Sequence, residues 1–341
     1  MTKLKLVVIS LLVICLIALL GGIFVYQKAH QQLEFALAEN MQLKVDSGDT
    51  VTTIVASLPV ASEDDFNLLL FKIWLKLNPE KASVKKGYYQ FDQGLSIYQL
   101  LDKLNKGDTE KFYITLVEGL TLKQWYQQIS NVSSLKNDLP ALENLYQSLE
   151  LQAFCENPHL SLEGCLLPDT YQYSYQDSAT SIVQRAHQSM AVFLEDAWQQ
   201  RFPDIPITTV YEGLILASII EKETAVASER GVIAGVFTNR LESNMRLQTD
   251  PTVIYGIGDA FDGNITRKHL RTTTPYNTYR IKGLPITPIA MPSRASIVAA
   301  LNPEITDYIY FVSKGDGTHQ FSETLAEHEQ AVRQYQLNKG N

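Results

Sequence analysis

In Leu214-Ile215-Leu216-Ala217-Ser218-Ile219-Ile220-Glu221-Lys222-Glu223, an apolar run ends on two carboxylates that flank a lysine. Leu216, Ile219, Ile220 and Val226 fall on i, i+3, i+4 spacing with no proline between them, which predicts one helix over 214–240. Glu223 extends the apolar stripe, three residues beyond Ile220 and four beyond Ile219, so its carboxyl is expected to emerge from an apolar wall. Burial of that kind disfavours the ionised form and raises the pKa toward the range of a general acid. Glu221 lies roughly 200° around the helix from Glu223. It sits beside Ala217 and Ser218 and suits a polar contact or a supporting hydrogen bond. On periodicity alone, Glu221, Lys222, Glu223, Glu229 and Arg230 read first as a solvated charged face with helix ion pairs.

The following segments tip the balance toward a site. Met245-Arg246-Leu247-Gln248-Thr249-Asp250-Pro251-Thr252 sets amide, hydroxyl and carboxyl groups in close order, with Pro251 and Gly256 implying irregular backbone. Thr274-Pro275-Tyr276-Asn277-Thr278-Tyr279 and Gly283-Leu284-Pro285 follow. Aromatic faces and amides suit pyranose rings and N-acetyl groups, although Tyr and Pro also pack cores. Gln248, Thr249, Asp250, Tyr276, Asn277 and Tyr279 are therefore candidates for substrate binding and transition-state support. Asp250 has an alternative role as a second catalytic carboxylate.

Leu6 to Tyr26 carries no charge over 21 residues, enough at about 1.5 Å per residue to span a hydrocarbon core of about 30 Å. The run exceeds a signal-peptide core, and Ala36-Leu37-Ala38 lies too far beyond it for cleavage, so an uncleaved anchor is expected. Lys3 and Lys5 before the span give a weak positive-inside bias that places residues 1–5 in the cytoplasm and the body outside. Residues 27–40 read as a polar linker. Residues 41–108 read as a small mixed unit: a strand at Gln42-Leu43-Lys44-Val45, a turn at Ser47-Gly48-Asp49, and Val51, Ile54, Val55 and Leu58 at helical spacing. It continues through Phe66 to Leu77, a strand over 87–91 and a helix from Ile97 to Leu104 closed by Gly107. The strand, turn and amphipathic helix resemble the opening of a LysM domain, a small glycan-binding fold, and would serve equally as a packing module. Residues 109–341, opening with a strand over 112–117, form the larger domain. The fold class is α+β with one N-terminal transmembrane helix.

The 341 residues, 45% hydrophobic and 19% charged, make a globular body of about two domains. Lys+Arg 29 against Asp+Glu 37 gives a net charge of −8, which speaks against a nucleic-acid partner. Cys155 and Cys165 lie in a setting that permits pairing, with two unpaired buried thiols as the alternative, and their spacing lacks the further ligands of a zinc site. His187, His269, His319 and His328 show no metal-ligand spacing and read as surface or core histidines. No phosphate loop and no G-x-S-x-G elbow is present, and neither metal nor organic cofactor is expected.

Ala217-Ser218-Ile219-Ile220-Glu221-Lys222-Glu223-Thr224, Asn239-Arg240-Leu241, Leu247-Gln248-Thr249-Asp250-Pro251-Thr252, Tyr276-Asn277-Thr278-Tyr279 and Gly283-Leu284-Pro285 closely resemble the motifs of the endolytic murein transglycosylases of the YceG-like family. The resemblance covers nearly the whole chain, including Glu163-Gly164 followed by Pro168-Asp169-Thr170. It implies a bacterial inner-membrane enzyme whose outer domain, in the periplasm, cuts the β-1,4 bond between N-acetylmuramic acid and N-acetylglucosamine within peptidoglycan strands. The products would carry 1,6-anhydro ends and nascent strands would be terminated. Glu223 matches the single catalytic glutamate, and Thr224 beside it resembles the Glu-Ser pair of other lytic transglycosylases. Glu221, Asn239 and Arg240 join the supporting set through their motifs. Cys165, Leu166 and Leu167 depart from the pattern where bulky aromatics are common. Peptidoglycan strands are the expected substrate, with peptidoglycan synthases as candidate partners and the membrane held through the N-terminal helix. A hydrolase of the same bond and a non-catalytic glycan-binding scaffold are the alternatives.

Overall fold

Helix α1 (Thr2–Gln31) carries the charge-free run, and its side chains from Leu6 to Tyr26 stand exposed, as lipid-facing residues do. It is long and apolar enough to cross a membrane. The protein is described by a computed structural model covering residues 2–62, 65–91, 94–149 and 153–337. Met1 and residues 338–341, the outer ends of the expected cytoplasmic segment and catalytic domain, lie outside the described residues. The chain divides into two units, Met1–Phe112 with Gln172–Asp177, and Tyr113–Tyr171 with Ser178–Asn341.

In the first unit, β1 (Met41–Val45) pairs antiparallel with β2 (Gly87–Phe91), from Met41 opposite Phe91 to Val45 opposite Gly87. Between them run α2 (Val51–Ser57) and α3 (Leu68–Leu77), and α4 (Ile97–Lys106) follows. Local chemistry sets these limits. Thr50 with Thr53 and Ser96 with Gln99 form reciprocal caps at the starts of α2 and α4, and Gly107 at φ 73° closes α4 in the left-handed region. Ile97, Leu100, Leu101 and Leu104 line one face of α4 and pack with Tyr89, Phe91, Phe71 and Trp74. The stretch 27–40, expected as a polar linker, is packed instead: Ala29, Leu33 and Leu37, four residues apart, enter this same core. Gln32 Oε1 also accepts from Asn67 N at 2.6 Å.

The second unit is mostly helical. After β3 (Lys111–Leu116) come α5 (Leu122–Ser130), the short α6 (Leu145–Ser148) and β4 (Asp169–Ser174), which pairs with β3. Then follow α7 (Ala179–Gln199), α8 (Val210–Glu223), α9 (Arg230–Glu242), α10 (Asp250–Ile257), α11 (Arg267–Arg271) and α12 (Arg294–Leu301). An antiparallel ribbon of β5 (Tyr310–Ser313) and β6 (His319–Ser322) leads into α13 (Leu325–Val332). Cys155 and Cys165 form a disulfide, with Cα atoms 5.9 Å apart.

Two expectations about the central helix are corrected. Every residue from Gly213 to Ile220 is buried, so the body of α8 lies inside the core on all sides, and of the two carboxylates and the lysine at its end only Lys222 is exposed. The helix also stops at Glu223 instead of running to Arg240. Thr224 is extended (φ −142°, ψ 136°), its N–H still reaching Ile220 O, and its hydroxyl accepts from Val226 N at 3.0 Å. This side-chain bond offers the backbone a turn in place of another helical residue.

Candidate active site

The end of α8 sends its two carboxylates to different places. Glu221 Oε2 accepts from Ser293 N (2.9 Å), Ser293 Oγ (2.5 Å) and Ser296 Oγ (2.6 Å). It thereby fastens the start of α12, where unpaired N–H groups favour an anion. Glu223 points the other way, into a cavity of about 430 Å³ that it lines with Arg240, Gln248, Thr249, Asp250 and Tyr279. The opposite wall comes from the β5–β6 ribbon and α13, with Tyr310, Phe311, His319 and His328.

Glu223 Oε1 accepts a short hydrogen bond from the Thr249 hydroxyl. Burial pushes its carboxyl above the ordinary 4.5, and the charge of Asp250 adds to the rise, while the Thr249 hydroxyl, His319 and Arg240 oppose it. The carbonyl end of α8 also disfavours a negative charge there. A carboxyl in this setting is poised to hold a proton and release it when a base or leaving group arrives.

A buried group of threonines fixes the Thr249 hydroxyl. Thr249 N donates to Thr278 Oγ1 (3.0 Å), Thr252 Oγ1 donates to Thr249 O (2.8 Å), and the hydroxyls of Thr252 and Thr278 lie 2.9 Å apart. Gln248 before it sits at φ 52°, an uncommon conformation for a residue with a side chain, and its N–H is held by Thr278 O. Asp250 opens α10 and accepts from Tyr279 Oη at 2.7 Å.

Thr224, Asn239, Tyr276 and Asn277 do not line the cavity. Thr224 shapes the turn after Glu223. Asn239 donates to Thr306 O (2.6 Å) and Tyr308 O (2.9 Å), and Arg240, itself in the wall, donates to Ile309 O and Leu247 O, both at 2.6 Å. Together they hold the approach to β5. Asn277 is buried and donates to His269 O, Leu270 O and Thr272 O, which makes it a brace for its loop. Tyr276 bonds Thr287 and stacks edge-on against Tyr255.

Sequence reasoning missed two features. His319 and His328, read as surface or core residues, form part of the cavity wall. Glu163 is buried, accepts from Leu122 N (2.9 Å) and pairs with Tyr255 Oη (3.0 Å), and burial lifts its pKa from 4.5 to about 7. Its place beside Gly164, whose φ of 75° and contact with Pro288 leave no room for a side chain, was the available signal.

Fold and site thus define a mixed α+β protein that combines one membrane-length helix with a polar, aromatic-walled cleft around a carboxyl whose pKa burial raises. Residues 43–334 match the model of the YceG-like family, and the chain belongs to that family. It is 30% identical over 337 residues to the endolytic murein transglycosylase of Bacillus subtilis, covering 93% of this chain and 91% of that protein. It is 28% identical to the protein of the same name from Streptococcus pneumoniae strain D39, covering 99% of this chain and 66% of the relative. The 2.6 Å crystal structure of a YceG-like protein from Listeria monocytogenes is similar with a TM-score of 0.53 and 30% identity, over 86% of this chain and 99% of that one.

Proposed function

We propose that this chain is a membrane-anchored endolytic lytic transglycosylase of peptidoglycan, with Glu223 as its single acid and base. The half-buried Glu223 carboxyl, aimed into a polar cleft where burial favours its neutral form, carries this reading. Protonated Glu223 donates to the leaving O4 of N-acetylglucosamine while the 2-acetamido group of N-acetylmuramic acid supports the oxocarbenium-like C1. The C1–O4 bond breaks. The 6-hydroxyl of the same ring then forms a bond to C1 and gives its proton to the Glu223 carboxylate, leaving a 1,6-anhydro end. Because nucleophile and electrophile share one ring, proximity replaces an activated water. Gln248, Thr249, Asp250, Tyr279 and Arg240 bind and support the sugars, while Glu221, Thr224, Asn239, Tyr276 and Asn277 act from behind as bracing.

The N-terminal helix anchors the body in the inner membrane with the second unit in the periplasm, close to emerging strands and to synthases as partners. The order β1-α2-α3-β2, with the strands antiparallel, supports a LysM-like glycan-binding role for the first unit. Asp250 shares the cavity with Glu223, which favours a hydrolase as the second reading. Mass spectrometry of digested murein separates the two: 1,6-anhydromuropeptides that vanish with Glu223→Gln are expected, and reducing ends from the wild-type protein would refute lytic cleavage.

A further inference from the structure

His319 stands in the cavity wall with its backbone N–H and its Nδ1 already committed. Its backbone N–H donates to Glu229 Oε1 at 2.8 Å, and its Nδ1 lies 2.7 Å from Glu229 Oε2. Both side chains are only 12% exposed. Nε2 makes no hydrogen bond with any described residue, yet it is not among the buried polar atoms left without a partner, so it remains accessible. Phe311 meets the ring edge-on at 5.4 Å and Phe321 leans against it at 6.4 Å, which restricts its rotation. In the neutral imidazole, a carboxylate at Nδ1 fixes the tautomer that carries its proton there and leaves Nε2 as an acceptor. Glu229 follows Glu223 by six residues, across the turn that ends α8 and begins α9. That turn sets the holder of His319 behind a residue that lines the same cavity as Glu223.

On the reading of Glu223 as the acid, we propose that His319 is a further catalytic residue: Nε2 accepts a hydrogen bond from the 6-hydroxyl of N-acetylmuramic acid and aims O6 at C1. Glu229 is its positioning residue. His319 does not keep the proton, which passes from O6 to the Glu223 carboxylate as the O6–C1 bond forms. The physical need is directional. An intramolecular attack succeeds when the reacting atoms are held in line, and misplacement by about 1 Å costs on the order of 100-fold in rate. Water competes for C1 whenever O6 is turned away, so the orienting group also decides whether the product is an anhydro sugar or a reducing end.

The test uses the full chain in detergent and purified murein, reading kcat, KM, the ratio of anhydro to reducing ends, and thermal unfolding. His319→Asn keeps an amide near the position of Nδ1 for Glu229 and removes Nε2; His319→Gln places an amide near Nε2. The expected result is a kcat lowered on the order of 100-fold for His319→Asn, KM changed less than about twofold, and a product mixture shifted toward reducing ends. His319→Gln should recover about tenfold of that loss, with both variants melting near the wild type. A His319→Asn protein with unchanged kcat and product ratio overturns the role, as does a loss that tracks the melting temperature and is not recovered by His319→Gln. Glu223→Gln, run in parallel, keeps the two ideas apart: if it is inactive while His319→Asn is unaffected, only the role of His319 falls, whereas an active Glu223→Gln removes the reading beneath it.

Discussion

Glu163 offers a measurable link between a buried carboxyl and the stability of the second unit. Burial raises its pKa from 4.5 to about 7, against the pull of the Leu122 N–H and the Tyr255 hydroxyl. The folded protein therefore binds this proton more tightly than the unfolded chain does. The stabilisation is fully present below about pH 4.5 and is lost as pH rises toward 7, so the unfolding free energy should fall over that window. At about 1.4 kcal/mol per pH unit, the loss amounts to about 3 kcal/mol. Glu163→Gln imitates the neutral acid: its amide oxygen can accept from Leu122 N and its NH₂ can donate to Tyr255 Oη. His187, buried and with its pKa lowered, contributes with the opposite sign as pH falls through 6.5, so the informative quantity is the difference between the two proteins. Urea unfolding of the full chain in detergent, followed by tryptophan fluorescence between pH 4.5 and 7.5, should show the variant gaining on the wild type by about 3 kcal/mol across the window. Parallel curves would mean that Glu163 is as comfortable ionised as neutral, and the account of its burial would be wrong.

Removing the carboxyl of Glu221 leaves Ser293 and Ser296 without their acceptor. Glu221→Ala should destabilise the protein by about 2 to 4 kcal/mol, lowering the melting temperature without altering the anhydro product of the molecules that stay folded. Opening the Cys155–Cys165 disulfide, by reductant or as the double serine variant, should cost about 2 to 3 kcal/mol by the chain-entropy relation, seen as a melting temperature lower by roughly 5–10 °C. Glu223 must be protonated to act as an acid, so kcat/KM should decline as pH rises through its elevated pKa. Thr249→Val removes the hydrogen bond that favours the carboxylate, and the alkaline limb of the profile should move to higher pH. A limb that stays in place or moves down would show that the Thr249 hydroxyl does not act on the Glu223 proton.

What could be read in the sequence was local. The helical spacing of Val51, Ile54, Val55 and Leu58, and Gly107 closing the helix from Ile97, act over a few residues, and α2 and α4 fall there. The strands at 42–45 and 87–91 likewise fall where expected. Glu223 was legible because about two preceding turns of apolar residues fix its direction. The full burial of α8 was not, since the partners that cover its remaining side, such as Leu301 against Gly213, arrive nearly ninety residues later. The stop after Glu223 depends on a threonine hydroxyl choosing its neighbour's N–H over solvent, a preference of about a kcal/mol that periodicity does not register. His319 needed Glu229, 90 residues upstream, to become anything other than a histidine in a strand. Asn277 shows the converse: an amide beside two tyrosines reads as a sugar contact, but three nearby carbonyls absorb its donors.

The Glu-Lys-Glu segment explains how one helix end can supply both rigidity and proton chemistry. Three donors from the start of α12 hold Glu221 in one position, so turning it toward a substrate would strand all three. Glu223 has a single side-chain donor, Thr249, and lies where burial favours the neutral form. Gaining or losing a proton there disturbs one hydrogen bond rather than a network. Lys222 between them donates to Gly119 O, tying the same turn to the segment before α5. The residue best able to change charge thus directly follows two that are anchored, and the short extended step at Thr224 stops the helix before its next turn could cover the carboxyl.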